Sequence, residues 1–183
     1  AYFWEGMHHE DWRYEMLRNK APKFAIVTDL FAIHLIPTTI VFMGMLPVFA
    51  VFVVGSASFF WLDILAIVVG LGAVSMQMIS DFQLRAIAAK KDSNESLARG
   101  LWAWSRHPNY FGELGFWLSL LLFGISAHPS GWIWQISGVI AMTWMFLFAS
   151  IPMMEKRSLE RREGYQDVID SVSMLIPLPP KRK

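Results

Sequence analysis

The sequence predicts an all-α fold: a polytopic transmembrane helical bundle of about four spans, set as two hairpins with both chain ends and the central loop cytoplasmic. Three observations carry this expectation. The 183 residues are 55% hydrophobic and only 17% charged, with a mean hydropathy of +0.39, too apolar for a soluble globule of this length. Four segments, 24–54, 59–84, 110–127 and 132–154, reach the roughly 20 helical residues that a hydrocarbon core requires. The basic residues also avoid those segments.

All 16 Lys and Arg fall into three clusters. The first is Arg13, Arg18, Lys20 and Lys23; the second Arg85, Lys90, Lys91, Arg99 and Arg106; the third Lys156, Arg157, Arg161, Arg162, Lys181, Arg182 and Lys183. The 61 residues between Lys23 and Arg85 and the 49 between Arg106 and Lys156 hold no basic side chain, and each gap suits two spans and a turn. Basic loops stay on the cytoplasmic side, so the turns near 55–58 and 128–131 face the opposite side.

In chain order, 1–23 is an aromatic and charged interfacial lead-in and 24–84 is hairpin one. Then 85–107 is the cytoplasmic loop, 108–154 hairpin two and 155–183 a cytoplasmic tail. Together they read as a single membrane domain. Pro37 and Pro47 predict a kinked first span packed inside the bundle, because a lost backbone donor is tolerated in lipid only where neighbours satisfy the freed carbonyl. Gly70 and Gly72 let another helix approach the second span. Pro129 and Gly131 mark the turn between the last two spans, and Pro177-Leu178-Pro179-Pro180 with its basic tail reads as the chain's end.

A net charge of +1, with Glu155, Glu160, Glu163, Asp167 and Asp170 interleaved among the bases, gives no reason to expect nucleic acid. The expected partners are the lipid bilayer and a hydrophobic small-molecule substrate. There is no cysteine, hence no disulfide or thiol chemistry. The Asn94-Glu95-Ser96 glycosylation triplet falls on the cytoplasmic side and is discounted. His8-His9-Glu10-Asp11 lacks the i,i+4 spacing that sets two ligands on one helix face, so no metal is expected. Gly70-Leu71-Gly72 sits inside a span without strand–helix alternation, which excludes a soluble Rossmann unit.

Ionisable residues inside spans are functional candidates because burying them in lipid is costly; here they are Asp29, His34, Asp63, Asp81 and Glu113. Gln77, Asp81 and Arg85, spaced i, i+4, i+8, share one helix face, either as an Asp81–Arg85 cap on the span or as the wall of a polar site. In Ser105-Arg106-His107-Pro108-Asn109-Tyr110-Phe111-Gly112-Glu113, Pro108 suits the first position of a helix. Arg106 and His107 at that start are either interfacial anchors or part of an anion site, and Asn109 and Glu113 face the same direction one turn deeper. Glu155-Lys156-Arg157, Glu160-Arg161-Arg162 and Tyr165 form either a surface helix laced with ion pairs or a third wall. Three polar clusters at one end of a bundle predict a site opening to the cytoplasm.

The Ser105–Glu113 run, together with Leu175-Ile176-Pro177 ten residues after Tyr165, resembles the steroid 5-alpha-reductase-like membrane family. Within it, His9-Glu10-Asp11-Trp12-Arg13-Tyr14 and Ser80-Asp81-Phe82-Gln83 look like the branch catalogued as a domain of unknown function. The resemblance implies NADPH-dependent reduction of a carbon–carbon double bond conjugated to a carbonyl, in a steroid-like or other lipid substrate. It implies cofactor contacts at Asp81, Asn109 and Glu113, and more weakly at Arg85, Arg106 and Tyr110; His107 joins them from the helix-start reading above, as a donor. The family's catalytic Tyr and Glu from earlier helices have no match here, so the catalytic residues are unassigned and those helices would lie before Ala1. The related isoprenylcysteine and phospholipid methyltransferases share an Arg-His-Pro core and imply S-adenosylmethionine instead. A non-catalytic lipid-binding relative is the third reading.

Overall fold

The computed structural model describes residues 12–55, 59–89 and 98–181. Among them the regular structure is helical and no strand occurs. The His8–Asp11 run, the Asn94-Glu95-Ser96 triplet, Lys90, Lys91, Arg182 and Lys183 lie outside the described residues. Four helices are long and apolar enough to cross a membrane: Pro22–Val54, Trp61–Ile87, Pro108–Ala127 and Pro129–Arg161. They fall on the four expected spans. The last runs further than expected, because no Gly or Pro follows Pro152 before Arg161 to end it. Their outward side chains are apolar and exposed, as at Val68 (63%) and Phe148 (68%), a surface that needs lipid rather than water.

Contacts divide the chain into two units, Ala1–Phe42 and Met43–Lys183. In the first, α1 (Trp12–Lys20) leads through a turn at Pro22–Phe24 into the span α2 (Pro22–Val54). Arg18 Nε donates to Asp29 Oδ1 at 2.6 Å, so this carboxylate is held in an ion pair. Pro37 follows a stretch of wide π-helical turns at Asp29–Leu35 by two residues. The widened turn gives the carbonyls of the preceding turn room for the proline ring. The same arrangement recurs in the second unit, where π-helical turns at Phe146–Ser150 precede Pro152.

The second unit contains the rest of α2, α3 (Trp61–Ala89), α4 (Pro108–Ala127), α5 (Pro129–Arg161) and the short α6 (Tyr165–Ser171). A break at Met45 precedes Pro47, which is fully buried and seated against Gly124 of α4. Only part of this stretch is enclosed: Ala50 is buried, whereas Phe52 is 81% exposed. Asp63 is buried at the start of α3, where its Oδ2 accepts from the Phe60 N–H at 2.7 Å. It satisfies an orphan donor of the helix start rather than a ligand.

The most extensive packing joins α3 to α4, which belong to different predicted hairpins. Small residues allow it. A Cβ on Gly112 would lie 2.8 Å from Gln77 Cγ and 2.9 Å from the Ala73 carbonyl oxygen; one on Gly70 would lie 3.0 Å from Ser119 Oγ. Gly72, expected to share this role, faces open space, since two residues turn it about 200° away from Gly70 around a helix of 3.6 residues per turn. The Pro129–Gly131 turn forms where expected. This pairing brings the second half of α3 beside the first turns of α4, and α5 closes on the same end.

Candidate functional site

Helix α4 begins at Pro108, with His107 as its N-cap. The buried Ser105 Oγ accepts from the His107 N–H at 3.1 Å and donates to the Leu175 carbonyl at 2.8 Å. Asn109 Oδ1 accepts from the Tyr110 N–H at 3.0 Å. Protein groups thus take up part of the capacity that an anion at a helix start would use.

Arg106 is more committed still. With a side chain only 9% exposed, its Nε donates to Glu155 Oε1 at 2.7 Å, and its Nη1 donates to the Ile169 and Val172 carbonyls, each at 2.7 Å. Its backbone N–H donates to Ser173 O at 2.8 Å. His107 Nε2 lies 3.3 Å from the same Glu155 oxygen. Arg106 therefore ties the start of α4 to α5 and α6, and its Nη2 makes no hydrogen bond among the described residues. Of the third cluster, Glu155 joins this network, whereas Lys156 and Glu160 make an exposed i,i+4 contact at 3.9 Å.

The loop before α4 is pinned across α3. Trp102 Nε1 donates to Ser80 O at 3.0 Å, and Leu101 N–H donates to Gln83 Oε1 at 2.9 Å. Gly100, at φ +57°, sits on the Gln83 amide, where a Cβ would have no room. The stretch after α6 docks beside it, with Leu178 N–H donating to Trp104 O at 3.0 Å.

Two cavities adjoin here. The first, about 330 Å³, is lined by Gln77, Asp81, Asn109, Tyr110, Glu113 and the apolar Met142, Met145 and Phe146. The second, about 110 Å³, includes Arg106, His107, Ser158, Arg162 and Tyr165 in its wall, with Asn109 and Tyr110 again. Tyr110 stands between them in a three-ring stack. Its centroid is 5.5 Å from His107 at 12° and 4.5 Å from Phe146 at 5°. Glu113 is oriented by Trp117, whose Nε1 donates to Glu113 Oε1 at 2.9 Å.

Six of the seven expected site residues thus line one or both cavities: Asp81, Arg106, His107, Asn109, Tyr110 and Glu113. Arg85 lines neither. The Asp81–Arg85 pair does not form among the described residues. Both side chains are solvent-exposed, where the entropy of fixing two long side chains offsets most of the attraction. His34 belongs to the first unit. Met142, Met145 and Phe146 lacked any sequence signal beyond their place in an apolar span.

Tyr165, buried beyond the spanning segments, has its phenol held above the ordinary value of 10.0 by burial and then by the Glu155 carboxylate. Ser158, Arg106 and Arg162 oppose the shift more weakly. A raised folded-state pKa means that the folded state resists ionisation: the associated stability is whole below about pH 10 and is lost as pH rises through the folded value. Ultraviolet titration of phenolate in the folded protein should show a late-ionising component, and Tyr165→Phe should reduce it by one tyrosine.

Four spans and two adjoining cavities, each lined by polar and apolar side chains, describe a polytopic membrane protein. The chain belongs to the family described as Protein of unknown function (DUF1295), whose model matches residues 2–172. It is also similar to Uncharacterized protein C594.04c of Schizosaccharomyces pombe, with 38% identity over 80 residues. That match covers 44% of this chain and 23% of the yeast protein, so the chain spans about a quarter of that relative's length. No solved structure matches the chain.

Proposed function

We propose that this chain binds NADPH at the paired cavities and reduces a carbon–carbon double bond conjugated to a carbonyl, in a steroid-like or other lipid substrate drawn from the bilayer. The observation that carries the reading is the gathering of Asp81, Asn109 and Glu113 from two helices into one chamber. These are the three positions at which the sequence resembles the reductases' cofactor contacts.

The chemistry of the two chambers fits the group. Carboxylates and amides in the larger chamber accept from ribose hydroxyls and pair with a carboxamide. Arg162 and the remaining Arg106 nitrogen in the smaller chamber suit phosphate. NADPH would supply a hydride to the β carbon of the enone, with a proton then added at the α carbon. Apolar and methionine side chains beside the larger chamber suit the lipid part of a substrate. We place the basic loops on the cytoplasmic side by the positive-inside rule, where the nucleotide is available.

S-adenosylmethionine is the second reading, favoured by one feature: among the described residues the larger chamber has two carboxylates and no basic side chain, which also suits a sulfonium. Calorimetric titration of the detergent-purified protein with each cofactor separates the two. Saturable binding of NADPH alone is expected, and Asn109→Ala and Glu113→Ala should each weaken it at least several-fold without unfolding the protein. Preference for S-adenosylmethionine would instead indicate methyl transfer, and silence toward both would favour a non-catalytic lipid-binding relative.

A further inference from the structure

The larger chamber carries a charge asymmetry that bears on which form of a cofactor it holds. Among the described residues its titratable walls are Asp81 and Glu113, with Tyr110 on the α4 side, and no described Lys, Arg or His lines it. Arg106, His107 and Arg162 line the other chamber, beyond the Asn109–Tyr110 partition. Glu113 has one oxygen engaged by the Trp117 indole, a neutral donor that fixes the carboxylate without neutralising it. Asp81 has no ion-pair partner among the described residues. The remaining wall includes Tyr110 and Phe146, stacked on one another, and the polarizable thioethers of Met142 and Met145.

The two carboxylates favour positive charge in the chamber by direct attraction, the half-buried Glu113 more strongly than the exposed Asp81. We infer that the chamber formed by Asp81, Glu113, Tyr110 and Phe146 selects the cationic over the neutral state of the ring or centre it receives. On the reading proposed above, on which this rests, that group is the nicotinamide. The oxidised ring carries a positive charge and the reduced ring is neutral, while the rest of the two dinucleotides is identical. The chamber then binds NADP⁺ more tightly than NADPH. Hydride transfer from the reduced ring to an enone β carbon creates the positive charge that the walls stabilise, so the same preference makes bound NADPH a stronger hydride donor. A tenfold preference corresponds to a midpoint potential lowered by about 30 mV for this two-electron couple.

Because the two forms differ only at the ring, the ratio of their dissociation constants cancels whatever the phosphates and adenosine contribute and reports on this chamber. The experiment is anaerobic calorimetric titration of the detergent-purified protein with NADPH and with NADP⁺. Asp81→Asn and Glu113→Gln, which keep shape and remove charge, follow, and circular dichroism verifies each fold. S-adenosylmethionine and its neutral product S-adenosylhomocysteine are titrated in parallel. The expected result is NADP⁺ binding about tenfold tighter than NADPH in the unaltered protein, with the ratio falling at least threefold in each variant. Equal binding of the two nicotinamide forms, or a ratio that neither variant moves, overturns the inference and leaves the reductase reading standing. Binding of the adenosyl pair alone, with the sulfonium preferred and the preference lost in both variants, keeps the charge selectivity and overturns the reductase reading. Failure of all four to bind overturns both.

Discussion

Replacing Arg106 with Ala should release the C-terminal segment and cost more stability than any other single polar substitution in the second unit. Its guanidinium is nearly out of solvent and holds Glu155 together with the Ile169 and Val172 carbonyls. Removing it leaves a carboxylate at 17% exposure facing His107 alone, and two carbonyls without their donor. Breaking a buried ion pair from one side costs roughly 3–5 kcal/mol, and each carbonyl left unpaired adds to that. Thermal unfolding in detergent should shift down by many degrees. Limited proteolysis should cut within 162–181 in the variant and spare it in the unaltered protein. A double-mutant cycle with Glu155→Gln isolates the pair: if Arg106 acts mainly through the ion pair, the second substitution adds little to the first. Losses that simply add would show that the carbonyl contacts dominate. An unchanged melting temperature and cleavage pattern in Arg106→Ala would contradict the clamp altogether.

The same residue shows how far the sequence could be read. The basic character of Arg106 and its place before Pro108 were visible, and they led toward an anion site. Its partners come from α5, 49 residues away, and from carbonyls 63 and 66 residues away. No local pattern announces a backbone carbonyl as a partner, so a docked arginine and a ligand-binding one look alike in sequence. Ser105, Trp102 and Gln83 are similar cases, because their hydrogen bonds depend on how the loop lies across α3.

What was legible follows from periodic or compositional rules. Span lengths come from the thickness of a hydrocarbon core, and the four helices fall on the segments that those lengths select. Asn109 and Glu113 were expected on one face from their i,i+4 spacing, and both line the larger chamber with Asp81. The chamber's apolar wall was not legible. Met142, Met145 and Phe146 differ in no sequence property from the lipid-facing Trp144 and Phe148 of the same helix, and their direction depends on the rotation of α5 against α4. Gly70 and Gly72 make the point in miniature, because only the first meets a neighbour.

Gly112→Val should produce the second large effect, this time on the site. A valine Cβ there would meet Gln77 Cγ at 2.8 Å, the Ala73 carbonyl at 2.9 Å and the Gln77 amide nitrogen at 3.1 Å. Two of these three are backbone atoms of α3 and cannot swing aside, so α3 and α4 must separate or rotate. Forcing extra atoms into a well-packed interface costs typically 1–3 kcal/mol, and the upper end is expected where the obstacle is main chain. Gln77 and Asp81 stand on one side of this contact, Asn109 and Glu113 on the other. Displacing the helices therefore pulls the chamber's polar groups apart, and cofactor affinity should fall at least tenfold while the protein remains helical. Gly72→Ala is the control, since its Cβ meets nothing within 4 Å and alanine is favoured over glycine in a helix by about 1 kcal/mol. It should leave the melting temperature unchanged or higher and cofactor binding intact. If both glycine variants behave alike, the α3–α4 contact at Gly112 does not set the geometry of the site; if only Gly112→Val loses the ligand, close approach of these two helices is what assembles it.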